Sequence, residues 1–249
     1  MKVWLVQKIG KKGGGSVPYG DDFPDSPDEE VLALGFNTGR PYGTPGIGRQ
    51  GNFLQWGYSA APSQMTEAGQ KLLVNCIHYI HRFDGKPPLV RPASASPRIR
   101  ALSCAYNSNR VRDPKGFFLN CFPEALYEKY HLDPNGLMEY YRPNIEWVYE
   151  GGGVSFRVDE ELKGLGIDSN RKIAGLQRLI ELLDDAQHAA TAQKLLSRYT
   201  ECSFETPPQW RQWFDENKNR LYFTDTGGYK FKVVPEGYSV GQSSRTSSR

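Results

Sequence analysis

The run Thr66-Glu67-Ala68-Gly69-Gln70-Lys71-Leu72-Leu73-Val74-Asn75-Cys76-Ile77-His78-Tyr79-Ile80-His81-Arg82-Phe83 anchors the N-terminal third of the chain. Leu72, Leu73, Cys76, Tyr79, Ile80 and Phe83 recur at helical spacing, with Lys71, Asn75, His78 and Arg82 opposite, so one amphipathic helix is expected from about 66 to 83. Ser63 or Thr66 supplies a capping oxygen, Glu67 suits the first turn, and Asp84-Gly85-Lys86-Pro87-Pro88 stops the helix. Upstream, Asn52-Phe53-Leu54-Gln55-Trp56-Gly57-Tyr58 reads as a strand. Val31-Leu32-Ala33-Leu34-Gly35-Phe36 reads as a strand buried on both faces, because its apolar run is unbroken. Val3-Trp4-Leu5-Val6-Gln7 reads as a third strand that opens abruptly, which suggests a piece of a larger protein. The Gly/Pro-rich segments 10–29 and 37–51 read as loops. Three strands and a helix then fit the end of an α/β sheet domain.

Composition bounds the rest. The 249 residues are 38% apolar and 12% aromatic, with 26 glycines and 17 prolines, so a folded chain with many turns is expected. No apolar run approaches the ~20 residues of a membrane helix. Met1-Lys2-Val3-Trp4-Leu5-Val6 is too short an apolar start for a secretory signal, and the compartment stays open. The net charge is only +3. Arg91, Arg98, Arg100, Arg110 and Arg112 lie in a Pro/Ser/Asn-rich stretch that lacks the interleaved aromatics of a stacking platform, so they read as a solvated connector and no nucleic-acid partner is expected.

Downstream of the connector at 91–116, which has room for one short helix near 96–106, an α+β module is expected over 117–238. Short helices follow Pro123 and Asp133-Pro134, and a hairpin joins 145–149 to 154–158 around Gly151-Gly152-Gly153. Asp168 or Ser169 would cap a helix carrying Ile173, Leu176, Ile180 and Leu183. Asp184-Asp185 would break it and cap a second, carrying Ala189, Ala192, Leu195, Leu196 and Tyr199. A third helix starts at Pro207-Pro208, a closing hairpin pairs 221–223 with 229–234, and the tail 239–249 is too polar to repay ordering. The fold class is therefore α+β: a sheet-plus-helix piece (1–90), a connector (91–116), the helical module with small hairpins (117–238) and a tail.

Chemistry-bearing residues do not converge. Gly46-Ile47-Gly48-Arg49-Gln50-Gly51 matches a dinucleotide string but precedes a strand, whereas phosphate binding needs a strand before it and a helix after it. Cys76 falls on the apolar stripe while His78 and His81 point to the polar side, so they do not form a metal set. His131 and His188 lack a neighbouring nucleophile motif, and Asp21-Asp22, Asp159-Glu160-Glu161 and Asp184-Asp185 read as caps or solvated charge. Cys76, Cys104, Cys121 and Cys202 lack zinc spacing; they read as free thiols, although two disulfides in any of three pairings fit an oxidising compartment. Trp210, Trp213 and Tyr222, with Phe214, Phe223 and Tyr229, fit either a local core or a platform for sugar or peptide. Trp210, Trp213 and Tyr222 are the candidate binding residues, with no catalytic residue, metal or cofactor expected.

Two segments carry a family resemblance. Residues 49–57 (RQGNFLQWG), 63–69 (SQMTEAG) and the 75–83 helix resemble the end of large bacterial proteins with a glutamine-amidotransferase-like, trehalose-utilisation-type α/β domain. Residues 195–200 (LLSRYT), Phe204 and 210–217 (WRQWFDEN) are similar to a segment closing HEAT-like helical regions of planctomycete-type proteins. The first resemblance implies a hydrolase-like domain and an exported protein. Its nucleophile, a cysteine between glycines after a strand, has no counterpart among the four cysteines, so no catalytic residue carries over. The leading expectation is a non-catalytic structural or protein-interaction region of a larger bacterial protein. Its partner would be another protein or a missing N-terminal portion of the same one. The alternatives are a hydrolase-like enzyme completed by that missing portion, with the 10–29 and 37–51 loops at its pocket, and a carbohydrate-binding module.

Overall fold

The computed structural model describes residues 5–8, 26–35, 44–90, 97–151, 153–225 and 227–238. The start of the expected 3–7 strand, most of the 10–29 loop and the 239–249 tail lie outside the described residues. The chain divides into two compact units, Met1–Ala95 with Pro235–Arg249, and Ser96–Val234. The architecture is α+β, with helices and small antiparallel sheets.

In the first unit, β1 (Glu29–Gly35), β2 (Thr44–Gln50) and β3 (Phe53–Trp56) form an antiparallel sheet in the order β1-β2-β3. Two expectations fail here. The apolar run at 31–35 is an edge strand, not one covered on both faces: Val31 is 38% and Leu34 60% exposed. The Gly/Pro-rich segment 44–50 is the central strand, with Ile47, Arg49 and Gln50 buried. Pro45 sits at the strand's start, where a missing N–H is tolerated, and the backbone ladder to both neighbours supplies what the side chains do not. The chain turns at Gly51, whose φ of +52° favours glycine and whose added Cβ would lie 2.6 Å from the Lys86 carbonyl oxygen.

Helix α1 (Glu67–Ile80) begins as its sequence demands, with the Thr66 hydroxyl accepting from the Gly69 amide at 3.0 Å. Thr66 also holds the N-terminal segment: its amide donates to the Val6 carbonyl at 3.0 Å and its hydroxyl to that of Leu5. Of the expected 3–7 strand, described residues 5–8 make one antiparallel bridge, Gln7 to Met65. Inside the sheet, Arg49 donates to Glu30 at 3.1 Å and to the Gly51 carbonyl at 3.0 Å, and its guanidinium lies 3.8 Å from the Phe83 ring centroid. This fixes Phe83, in the short 3-10 turn (His81–Phe83) that follows α1, against β2.

The second unit has two apolar clusters. Helices α2 (Pro97–Asn107), α3 (Pro114–Cys121), α4 (Glu124–Tyr130) and α5 (Pro134–Asn144) enclose Phe118, Phe122, Leu137 and Tyr141 with the hairpin β4 (Val148–Gly151) and β5 (Val154–Val158). Asp113 and Asp133 cap α3 and α5, with proline in the first turn of each. Arg98 is buried, not solvated as expected. It donates to Asp225 at 3.1 Å, to Asn170 at 2.6 Å and to the Ile145 carbonyl, and burial pushes its pKa down against the Asp225 charge. Arg91 lies outside the described residues.

The second cluster joins α6 (Glu160–Gly164), α7 (Ile173–Glu181), α8 (Ala189–Tyr199), α9 (Pro207–Asn217) and the hairpin β6 (Leu221–Thr224) and β7 (Lys230–Val233). The expected caps shift: Lys172 precedes α7 without a side-chain cap, and Asp185 holds the turn before α8 through the Gln187 amide and His188. Thr206 and Gln209 form the capping box that starts α9.

Candidate functional site

α9 presents two faces. One carries Trp210 and Trp213. Trp210 is fully buried; its indole donates to the Gln193 side chain at 2.9 Å and to the Phe204 carbonyl at 3.2 Å, and Phe204 meets it edge-on with centroids 5.0 Å apart. Trp213 is half-buried, with its ring centroid 6.0 Å from that of Trp210. Trp210 therefore belongs to the core. On β6, Leu221 and Phe223 join the same cluster, so the strand's alternation turns half-buried Tyr222 to the other face, opposite Lys232. The structure thus joins Trp210 to Trp213 and separates Tyr222 from them.

The other face of α9 carries Arg211, Phe214 and Asp215 and, at its C-cap, Lys218, at i, i+3, i+4 and i+7. With α7 it forms a groove of about 520 Å³. Ile173, Ile180 and Phe214 line its apolar floor, and Ile180 and Phe214 are also part of the core. Charge borders it: Arg211 pairs with Asp184, and Lys218 with Asp215 at 2.9 Å, all four side chains being more than a third exposed. Gln177 and Glu181 complete the α7 side. Exposed pairs of this kind contribute about 0–1 kcal/mol each, so exchanging them for a ligand's charges costs little. Sequence reasoning assigned Ile173 and Ile180 to the α7–α8 core and α9's value to its tryptophans. The available signal was the Arg211–Phe214–Asp215–Lys218 spacing.

The titratable groups are dispersed. Among the described residues, no three His, Cys, Asp or Glu side chains gather closely enough for a metal ion. His78 is exposed, His81 pairs with Asp84, and His188 with Asp185 at 2.8 Å. The Gly46–Gly51 string lies on β2 and its turn, not before a helix. Asp159 caps α6 through the Leu162 amide and accepts from Tyr199 and Arg198, each at 2.6 Å. The four cysteines are free thiols, with Cys76 and Cys121 buried. Among the described residues no helix is long and apolar enough to cross a membrane. Compared with protein-family models, curated proteins and solved structures, the chain matches none.

Proposed function

We propose that this chain is a non-catalytic protein-interaction module whose α7–α9 groove receives an amphipathic helical segment of a partner protein. The groove's construction carries the reading: an apolar floor of Ile173, Ile180 and Phe214 between rims of both charge signs. Such a channel suits apolar side chains at i, i+3 and i+4 on one helical face, flanked by acidic and basic residues that replace the rim pairs. Its volume accommodates a few side chains, and each well-buried aliphatic side chain contributes about 1.5–3 kcal/mol.

A display library of random helical peptides tests this on the full chain. The expected result is enrichment of amphipathic sequences whose affinity falls at least tenfold with Ile173→Glu and with the rim variant Lys218→Glu. Circular dichroism verifies that both variants remain folded, and Glu128→Lys on α4 serves as the neutral control. Enrichment without an amphipathic pattern, or binding indifferent to both groove variants, refutes the assignment.

A further inference from the structure

Apolar surface is unevenly divided between the two units. Both clusters of buried hydrophobic side chains belong to the second unit, Ser96–Val234. Among the described residues, the exposed large hydrophobic side chains show the reverse: Tyr106 alone lies in the second unit, and the first holds Leu5, Val31, Leu34, Phe53, Val74 and Ile77. Scattered single apolar side chains are ordinary on a surface, but two of these are contiguous. Val74 and Ile77, 51% and 59% exposed, stand one turn apart on α1. Half-buried Leu73 and Ile80 flank them, four residues before and three residues after Ile77. α1 buries Cys76 and carries this second apolar strip outward, so its hydrophobic arc is wider than its own unit covers.

We propose that α1 is a self-association helix: two copies of the chain pack their α1 helices antiparallel about a two-fold axis centred midway between Val74 and Ile77. Charge sets the direction. Glu67 lies in the first turn of α1 and Arg82 just beyond its last, both exposed and, with Lys71 and His78, on the flank beside the apolar strip. Parallel packing would set Glu67 beside Glu67 and Arg82 beside Arg82. Antiparallel packing sets Val74 of each copy against Ile77 of the other and brings each Glu67, which already holds its own Lys71 at 2.6 Å, alongside the other copy's Arg82. The two helix dipoles then oppose each other as well. Because the patch meets itself, the contact closes as a dimer and does not propagate. The 14 residues of α1 span about 21 Å and present a face about 10 Å wide, which falls short of the ~800 Å² per partner of a standard interface. The dimer is therefore weak and reversible.

Sedimentation equilibrium of the full chain over a wide range of concentration tests this. The weight-average mass is expected to climb from the 28.1 kDa of one chain toward twice that value. Ile77→Glu should raise the dissociation constant at least about tenfold, because it places a carboxylate from each copy in an apolar contact, and Val74→Glu should do the same. Arg82→Glu should weaken the dimer several-fold, and adding Glu67→Arg to it should restore association. All four positions are exposed, and circular dichroism verifies that each variant is folded. Leu34→Glu on β1 and Ile173→Glu in the α7–α9 groove are expected to leave association unchanged. A mass that stays at one chain at the highest concentration overturns the proposal, as does association that survives Ile77→Glu or a charge exchange that restores nothing. Loss of association with Leu34→Glu would assign the contact to the β1 edge, and loss with Ile173→Glu would place α1 in the second copy's groove; either result overturns the symmetric pairing.

Discussion

Replacing Asp159 by alanine removes a carboxylate that is 1% exposed and serves three donors: the Leu162 amide at 3.0 Å, the Tyr199 hydroxyl at 2.6 Å and Arg198 at 2.6 Å. Losing the cap of α6 costs about 1 kcal/mol. The Tyr199 hydroxyl is left buried without this acceptor, at about 1–3 kcal/mol. Arg198 contributes less, because its side chain is 21% exposed and keeps Glu161 at 3.0 Å; its share is at most about 1 kcal/mol. The total is about 3 kcal/mol, or a fall in Tm of roughly 6–12 °C for a chain of this size. Calorimetry of the wild type, Asp159→Ala, Tyr199→Phe and the double variant measures it. Removing donor and acceptor together leaves no orphan hydroxyl, so the double variant is expected to lose at least about 1 kcal/mol less than the sum of the singles. A loss below about 1 kcal/mol for Asp159→Ala, or strict additivity, refutes the reasoning.

Three further outcomes follow from the geometry. Gly69→Ala would drive a Cβ into the Val6 carbonyl, so the 5–8 segment should detach, and exchange of the Lys8 and Thr66 amides, bonded to Gln64 and Val6, should quicken at least tenfold; unchanged protection contradicts the packing. Trp210→Phe leaves the Gln193 and Phe204 acceptors without the indole donor and should cost about 2–3 kcal/mol in urea unfolding, while Trp213→Phe should cost under about 1; equal costs would be inconsistent with the different burial. Glu161 is held below its ordinary pKa of 4.5, first by its hydrogen bond to Lys194; burial opposes this, and Arg198 adds to the lowering. Its folded-state pKa is depressed, so its contribution is present above about pH 4.5 and lost as pH falls through the lower folded value. Glu161→Gln should therefore flatten the acid limb of a Tm–pH profile, and an unchanged limb excludes the linkage.

Where side-chain periodicity and capping agree, the sequence was legible. Thr66 and the apolar stripe placed α1, although it ends at Ile80 and His81–Phe83 is a 3-10 turn; Asp133-Pro134 placed α5; and alternation around Gly151–Gly153 placed the β4–β5 hairpin, although its first strand begins at Val148 and Ile145–Trp147 is a 3-10 turn. It failed where the backbone ladder, rather than side chains, decides the structure. Thr44–Gln50 offers one aliphatic side chain beyond its proline, yet is central because β1 and β3 pair with it on both sides. The helices α3 and α6 are short and owe their starts to Asp113 and Asp159 caps that single-residue patterns do not distinguish from turn aspartates. Arg98 was misread for a related reason, since its partners Ile145, Asn170 and Asp225 are far away in sequence. The groove was hidden because Ile173 and Ile180 look like ordinary core positions until α9 brings Phe214 and its charged neighbours beside them.

The interaction assignment is tested most directly by mapping where a selected amphipathic peptide lands, using amide chemical shifts of the full chain during titration. The account predicts saturable shifts centred on Ile173, Gln177, Arg211, Lys218 and Asn219, abolished by Ile173→Glu. Shifts centred elsewhere, for example on exposed Val74 and Ile77 of α1, with those groove amides unmoved, would contradict it.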